Sequence, residues 1–177
     1  MNTPTAVTPP AGSRIAQRLE GANFHDAWAI DAADPSLSAL GQFLKSARAT
    51  PRWVDACMTL RNRAVQLVGL KNLGELSEIN PARPDADYRP GERVGIFTLF
   101  ENTPDEVLLG DRDKHLDVVV SVHCARPTGQ PVRVTVTTVV HTKNLLGRLY
   151  MLPVKPMHTL IAPSVLRTIG LRAQVNT

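Results

Sequence analysis

Apolar and polar residues alternate along two segments in the second half of the chain, and this period of two predicts two β-strands with one apolar face each. The segments span His115–Cys124 and Val132–Thr142, and their other faces carry mainly Thr, Ser, His, Asp and Arg. The apolar faces consist of Leu116, Val118, Val120, Val122 and Cys124 in the first strand and of Val132, Val134, Val136, Thr138 and Val140 in the second.

The loop between these two strands determines which faces meet. A two-residue loop would set the valine face of one strand beside the polar face of the other, whereas the three-residue loop Thr128–Gln130 aligns valines with valines. Gly129 supplies the left-handed backbone that such a loop uses. The predicted register therefore places Asp117 opposite His141.

Apolar residues at steps of three and four predict two helices in the first half of the chain, after a strand at Phe24–Ile30. The first helix opens at Asp34-Pro35 and the second at Thr50-Pro51, because a capping side chain followed by proline suits a first turn. Gly69 is the predicted end of the second helix. The apolar stripes are Leu37, Leu40, Leu44 and Ala47 in the first helix and Trp53, Cys57, Leu60, Ala64 and Leu67 in the second.

A third helical region closes the chain. Asn144 can cap a short turn that Pro153 stops. A longer helix is predicted to restart near Pro156, to kink at Pro163 and to end at Gly170. Its predicted apolar stripe consists of Met157, Leu160, Ile161, Val165 and Ile169.

The order of these elements predicts an α+β fold. Two short apolar segments, Arg93–Asn102 and Glu106–Asp111, add a further hairpin before the long one. A curved antiparallel sheet would wrap around the long C-terminal helix, with the two other helices between the first and second strands. An apolar cavity remains where such a sheet does not fill the space beneath the helix.

Composition narrows the class of protein. A length of 177 residues suits one domain, predicted over residues 15–177 after a disordered tail at 1–14 that is rich in Pro, Thr and Ala. The net charge is +4, but basic and acidic residues are interspersed and aromatic residues make up only 5%, so no nucleic-acid partner is expected. No apolar run approaches the roughly 20 residues of a membrane span, and no stable membrane insertion is expected.

The two cysteines favour a reducing environment. Cys57 and Cys124 lie far apart among apolar neighbours, which is typical of small buried side chains rather than of a disulfide or a metal site. We therefore expect a cytoplasmic protein with no metal and no cofactor.

The polar face of the long hairpin carries the first candidate for chemistry. Directly opposed residues have Cβ atoms roughly 4.5–5.5 Å apart, so Asp117 could orient His141 as a general base, with His115 nearby. The alternative is that this face is an ordinary solvent-exposed surface, as on many antiparallel sheets.

Polar residues on otherwise apolar helix faces are the second set of candidates. Arg61 leans toward the apolar flank of its helix, where it could hold an acidic ligand group or simply extend to solvent. Tyr150 and His158 interrupt the last helical region and could contact a ligand or be satisfied core residues. The predicted ligand-binding set is Arg61, Trp53, Val118, Val120, Val136, Tyr150 and His158.

Several segments together resemble a known architecture. The stretches LRNRAVQLVGL, LGDRDKHLDVVVSV and TTVVHTKNLLGRLYMLPVKPMHTLI resemble a bacterial family of unknown function within the helix-grip superfamily of START, polyketide-cyclase and birch-allergen-like domains, often called SRPBCC. The resemblance implies a helix-grip fold from about Asn23 to Gly170. Some relatives carry this domain behind a short-chain-dehydrogenase-like nucleotide-binding domain, but this chain has no Gly-rich dinucleotide fingerprint, so the resemblance implies no redox cofactor here.

Two functions of different kinds follow. The preferred hypothesis is a non-catalytic module that binds a small apolar or amphipathic molecule in a cavity between the sheet and the last helix. The alternative is a cyclase, dehydratase or hydrolase that uses the pair Asp117 and His141. An unpaired sheet edge could also recruit a partner protein, and a homodimer is left open.

Overall fold

The computed structural model describes residues 2–66, 79–80 and 83–171 and shows an α+β fold with a curved, seven-stranded antiparallel sheet and a long C-terminal helix. The helices are α1 (Ala39–Arg48), α2 (Arg52–Gln66) and α3 (Leu145–Leu166). The strands are β1 (Thr5–Ala6), β2 (Phe24–Asp31), β3 (Arg93–Val94), β4 (Phe97–Asn102), β5 (Glu106–Arg112), β6 (Leu116–Ala125) and β7 (Arg133–Thr142). They pair in the order β1-β2-β7-β6-β5-β4-β3.

The long hairpin β6–β7 has the register predicted from its valines. Asp117 lies opposite His141, and Val118 lies opposite Val140. The predicted loop forms the tip of a longer connection between Ala125 and Arg133, and Gly129 adopts a φ of 74° there. Matching apolar faces therefore determined the register, and both strands begin one residue later than the pattern indicated.

Two helices share the valine face of the sheet, where the sequence predicted that one helix would cover it. The first helix, α1, packs on β5 and β6, whereas α3 packs on β2 and β7. The main core lies between them and the sheet. Its fully buried members include Ile30, Leu40, Leu99, Val107, Leu109, Val122, Val134 and Ile169.

The opposite face of the sheet is also covered, which corrects the expectation of a solvent-exposed surface. Ser121 and Thr137 are fully buried. A second apolar cluster lies on this side and contains Ile15, Leu108, Val119 and Val139, with Leu19, Ala22 and Phe100 packed against it. The Ser121 hydroxyl is satisfied on this face by donating to the Glu106 carboxylate at 2.7 Å, whereas the buried Thr137 hydroxyl has no partner among the described residues.

The chain before β2 provides this cover, and the described residues 2–14 of the predicted tail are part of this segment. Thr5 and Ala6 pair with Ala29 and Trp28 as the edge strand β1. A short 3-10 turn at Arg14–Arg18 then buries Ile15. The turn is held by Glu106, whose carboxylate accepts hydrogen bonds from the backbone amides of Arg14 at 2.6 Å and of Ile15 at 3.2 Å.

The second helix begins directly after Thr50-Pro51 as predicted, whereas α1 begins at Ala39, later than the predicted start at Asp34-Pro35. Ser38, not Asp34, caps α1 by accepting from the Gly41 amide. Hydrogen bonds from the hydroxyl and the amide of Ser36 lower the pKa of Asp34, which closes a turn before the helix. Among the described members of the predicted α2 stripe, Trp53 is 43% and Leu60 70% exposed and Cys57 is half-buried, whereas Val54 on the flank is fully buried. The predicted end at Gly69 lies outside the described residues.

The C-terminal helix α3 is continuous through all three of its prolines, which corrects the predicted stop at Pro153 and restart near Pro156. Each proline leaves unpaired the carbonyl four residues earlier, at Leu149, Leu152 and Thr159. These three residues are exposed, so water can satisfy their carbonyls. The predicted stripe is also partly wrong, because Met157 and Leu160 face solvent while the buried side holds Gly147, Met151 and Leu166.

Candidate functional site

A partly open cleft of about 160 Å³ lies between the valine face of the sheet and the first half of α3. Alternation along β6 and β7 points Val118, Val120, Thr138 and Val140 into it, since Val120 pairs with Thr138 and Val118 with Val140. The remaining apolar lining is Phe24, Phe97, Leu116, Met151 and Val154. The polar lining is Arg61, Asp111, Asp113, His115, Tyr150 and His158 together with Thr138.

An aspartate and a histidine meet at this cleft. The Nδ1 atom of His158 on α3 lies 3.0 Å from Oδ2 of Asp26 on β2, and its Nε2 atom lies 3.3 Å from the hydroxyl of Thr138. Asp26 and Thr138 are themselves cross-strand partners, so β2 and β7 present both groups to the helix above. The side chains of His158 and Asp26 are 23% and 17% exposed. A carboxylate only accepts hydrogen bonds, so Nδ1 carries the proton that is shared with Asp26.

Neighbouring aromatic residues fix both partners of this pair. The indole N–H of Trp28 donates to the same Asp26 oxygen at 3.1 Å. The ring of Phe24 lies edge-on to the His158 ring, with 5.7 Å between centroids. The pair is therefore held at one orientation against an apolar wall.

A second polar contact joins the two helices at the cleft. The Nε–H of Arg61 on α2 donates to the hydroxyl of Tyr150 on α3 at 2.9 Å, and its guanidinium carbon lies 5.5 Å from the Tyr150 ring centroid. Arg61 also donates to the Asn62 side chain at 2.9 Å. Arg61 thus meets a specific hydroxyl group rather than extending freely into solvent.

The beginning of α3 is fastened to the loop before β6. Asn144 caps the helix by accepting from the Gly147 amide at 3.0 Å, and its side-chain amide lies 3.0 Å from Nδ1 of His115. The backbone amide of Lys143 donates to the His115 carbonyl at 2.8 Å. A Cβ at Gly147 would collide with that same carbonyl, so glycine permits the close approach of helix and loop.

Asp117 and His141 lie opposite each other, but each side chain contacts a different group. Asp117 contacts the Lys143 ammonium group at 2.6 Å. His141 instead lies with Nε2 3.0 Å from the backbone carbonyl of Glu20. Neither residue lines the cleft, whereas His115 does.

The predicted ligand-binding residues divide into two groups. Trp53 is exposed on α2, and Val136 packs against the main core, so neither lines the cleft. The structure brings together at the cleft Arg61, Val118, Val120, Tyr150 and His158.

Sequence reasoning missed two acidic residues. Asp26 is the partner of His158, and Asp111, which is 9% exposed, lines the cleft from β5. A signal was present for Asp26, because alternation places this carboxylate between Phe24 and Trp28, on the same face of the sheet as the valines of β7. Acidic side chains rarely occupy an apolar strand face without a specific partner.

The residues that the structure describes contain neither a metal-binding cluster nor a membrane-spanning helix. Within that part of the chain, no group of three or more His, Cys, Asp or Glu side chains is placed to hold a metal ion. None of the described helices combines the length and apolarity needed to cross a bilayer.

Comparison with known proteins assigns the chain to a family. No curated protein and no solved structure matches it. Residues 18–165 match the family described as protein of unknown function (DUF2867). Because this match covers more than half of the 177 residues, the chain belongs to that family.

Proposed function

We propose that the protein binds a small amphipathic molecule in the cleft between the valine face and α3. The observation that carries this proposal is an apolar wall of valine, phenylalanine and methionine side chains with polar groups converging at its edges. Pockets with this combination are the usual sites for small ligands, since burial supplies affinity and a few polar groups fix orientation.

The dimensions of the cleft limit the size of the ligand. Its volume of about 160 Å³ is close to the roughly 150 Å³ of an apolar cavity that takes up benzene. A substituted aromatic ring or a short acyl chain fits this space. The polar substituent of such a ligand would face Arg61, Tyr150 or His158 at the margin.

The architecture supports a relation to helix-grip domains. A curved antiparallel sheet packs against a long C-terminal helix, with two helices inserted after β2. The sequence resemblance to the START and birch-allergen-like superfamily implies a helix-grip fold, and in such a fold we expect an apolar cavity between the sheet and the helix. We include this relation in the proposal because the cleft occupies that position.

Filling the cleft provides the test. The fluorescence of 1-aminonaphthalene responds to an apolar environment, and we expect saturable binding to the native protein. Val120→Trp should abolish it, because the indole would occupy the space between β6 and α3. Leu160→Trp is the matched control, since Leu160 is 58% exposed on the outer side of α3.

Both variants should first be shown to unfold cooperatively. Unchanged probe affinity in a folded Val120→Trp variant would contradict the proposed binding site. Native mass spectrometry of freshly purified protein would identify the chemical class of any molecule that is retained in the cleft.

A further inference from the structure

We propose that the cleft also catalyses proton abstraction from a carbon acid, with His158 as the general base and Asp26 as its positioning residue. The inference rests on the proposed binding function, because the substrate must occupy the same cleft. It replaces the pair Asp117 and His141, whose side chains contact other groups.

The hydrogen bonds around His158 determine which nitrogen can act. Asp26 Oδ2 takes the proton on Nδ1 at 3.0 Å, so the lone pair of the neutral imidazole lies on Nε2. Nε2 faces the hydroxyl of Thr138 at 3.3 Å, and both residues line the cleft. A base needs its free lone pair within reach of the bound molecule, and this tautomer provides it.

Asp26 has few hydrogen-bond partners besides His158. Its second carboxylate oxygen, Oδ1, is buried and has no hydrogen-bond partner among the described residues. The negative charge is therefore compensated mainly by the Trp28 N–H and by His158. When Nε2 gains a proton in the proposed step, the new positive charge lies beside this carboxylate, which holds the ring by its Nδ1 atom.

The position of Thr138 argues against covalent catalysis by its hydroxyl. Thr138 is 5% exposed, and β7 is bonded on both sides to β2 and β6, so the hydroxyl is held in place in the sheet. A covalent acyl-enzyme mechanism would require this hydroxyl as a free nucleophile. Proton transfer requires only the base, and Thr138 then serves as the group that donates to Nε2 when no substrate does.

The proposed step is balanced without an oxidant or a reductant. The C–H bond of the substrate breaks, its proton moves to Nε2, and its electron pair moves into the substrate toward an electron-withdrawing group or a leaving atom. His158 becomes an imidazolium ion paired with Asp26. It returns the proton either to another atom of the substrate, which gives an isomer, or to water.

The test uses 5-nitrobenzisoxazole, an apolar ring with one acidic C–H. Removal of that proton breaks the ring N–O bond, forms a nitrile and releases a coloured nitrophenolate. We expect saturable product formation, faster per imidazole than in a solution of 4-methylimidazole, and competition by 1-aminonaphthalene. His158→Gln should lower kcat roughly 100-fold or more, the usual contribution of a general base.

The positioning role of Asp26 has its own readout. Asp26→Asn should lower kcat with little change in KM, and the ¹⁵N shifts of His158 should report loss of the single Nδ1–H form. His141→Gln is the matched control, and its kcat should equal that of the native protein, because His141 lies outside the cleft.

The outcomes separate this proposal from the proposed binding function. If 1-aminonaphthalene binds but no acceleration over 4-methylimidazole is measured, the catalytic inference is overturned and the binding function stands. A native kcat in a folded His158→Gln variant would likewise overturn the catalytic role and leave the binding function intact. If the probe does not bind and no product forms, both proposals fail.

Discussion

The histidine and cysteine side chains of this protein show how the surroundings of a residue determine its reactivity. His141 lies opposite Asp117, and His158 lies beside Asp26. Of these two histidines, only His158 has one ring nitrogen bonded to a carboxylate and the other facing the cleft. Cys124 is the opposite case. It is 2% exposed, and burial raises the pKa of its thiol to about 11, so it is a packing residue rather than a nucleophile.

The thiols therefore provide a residue-scale prediction. In the native protein at pH 8, an aromatic disulfide reagent should modify Cys57, which is half-buried, and leave Cys124 unmodified because its thiolate is disfavoured and inaccessible. Both cysteines should react after unfolding in guanidinium chloride. Counting the released thiolate per chain checks this, and rapid modification of Cys124 in a folded Cys57→Ser variant would contradict it.

The same pKa fixes the sign of a pH effect on stability. The folded value of about 11 exceeds the unfolded value of 9.0, so the folded state keeps its proton where the unfolded state releases it. The stabilisation from Cys124 should be complete below pH 9 and be lost as the pH rises toward 11. Comparing alkaline unfolding of the native protein with that of Cys124→Ala isolates this contribution.

At the scale of elements, α3 depends on how its first turn meets the loop before β6. The cap at Asn144, the contact of Asn144 with His115 and the absence of a side chain at Gly147 all act at this junction. The junction also fixes Tyr150 and Met151, one turn later, at the cleft. Packing at the start of the helix therefore determines where the helix places its functional side chains.

Gly147→Ala should disturb that junction. The new methyl group would meet the backbone carbonyl of His115, which cannot move aside as a flexible side chain can. We expect a loss of roughly 1–3 kcal/mol in the free energy of unfolding, and weaker binding of 1-aminonaphthalene. Gly12→Ala is the control, because nothing lies within 4 Å of a Cβ at Gly12, and its effect should be below about 0.5 kcal/mol. Urea unfolding of the two variants provides the comparison.

The helices and strands differ in how far sequence predicts them. Valines at every second position specified the register of β6 and β7, because a slip by one residue would expose a whole face. The path of α3 could not be predicted, since the cost of a proline depends on whether the freed carbonyl faces water, and only the packed structure shows that Leu149 and Leu152 are exposed.

At the scale of the whole molecule, the sheet separates two packed sides with different roles. One side carries the main core and the cleft, and the other is closed by the chain before β2. Glu106 joins that segment to the sheet by accepting hydrogen bonds from Arg14, Ile15 and Ser121. The carboxylate is 5% exposed, so these bonds replace its lost contact with water.

Glu106→Gln should therefore loosen the N-terminal segment. The amide group would present a donor where the carboxylate accepts three bonds, and we expect a loss of about 1–3 kcal/mol in the free energy of unfolding. The amides of Arg14 and Ile15 should lose protection from hydrogen exchange before the core does. Glu101→Gln serves as the control, because Glu101 pairs with Arg14 at the exposed surface at 2.7 Å and should cost less than about 1 kcal/mol.

The candidate site contains some residues that could be predicted from the sequence and others that could not. Arg61, Tyr150 and His158 could be identified as polar exceptions on apolar helix faces, and all three line the cleft. Their partners could not, because Asp26 and His158 are separated by 132 positions and only the sheet and helix packing bring them together. The burial of Ser121 and Thr137 could not be predicted from the sequence either, because hydroxyl side chains occur on both buried and exposed faces of sheets.

The three prolines of α3 have one more consequence. Pro153 and Pro156 flank Val154, whose side chain lines the cleft. Neither proline can donate a backbone hydrogen bond within α3. A ligand that is slightly too wide for the cleft can therefore displace this part of α3 without breaking a backbone hydrogen bond at those two positions. The α3 side of the cleft is thus easier to displace than the sheet side, where the strands are hydrogen-bonded to their neighbours.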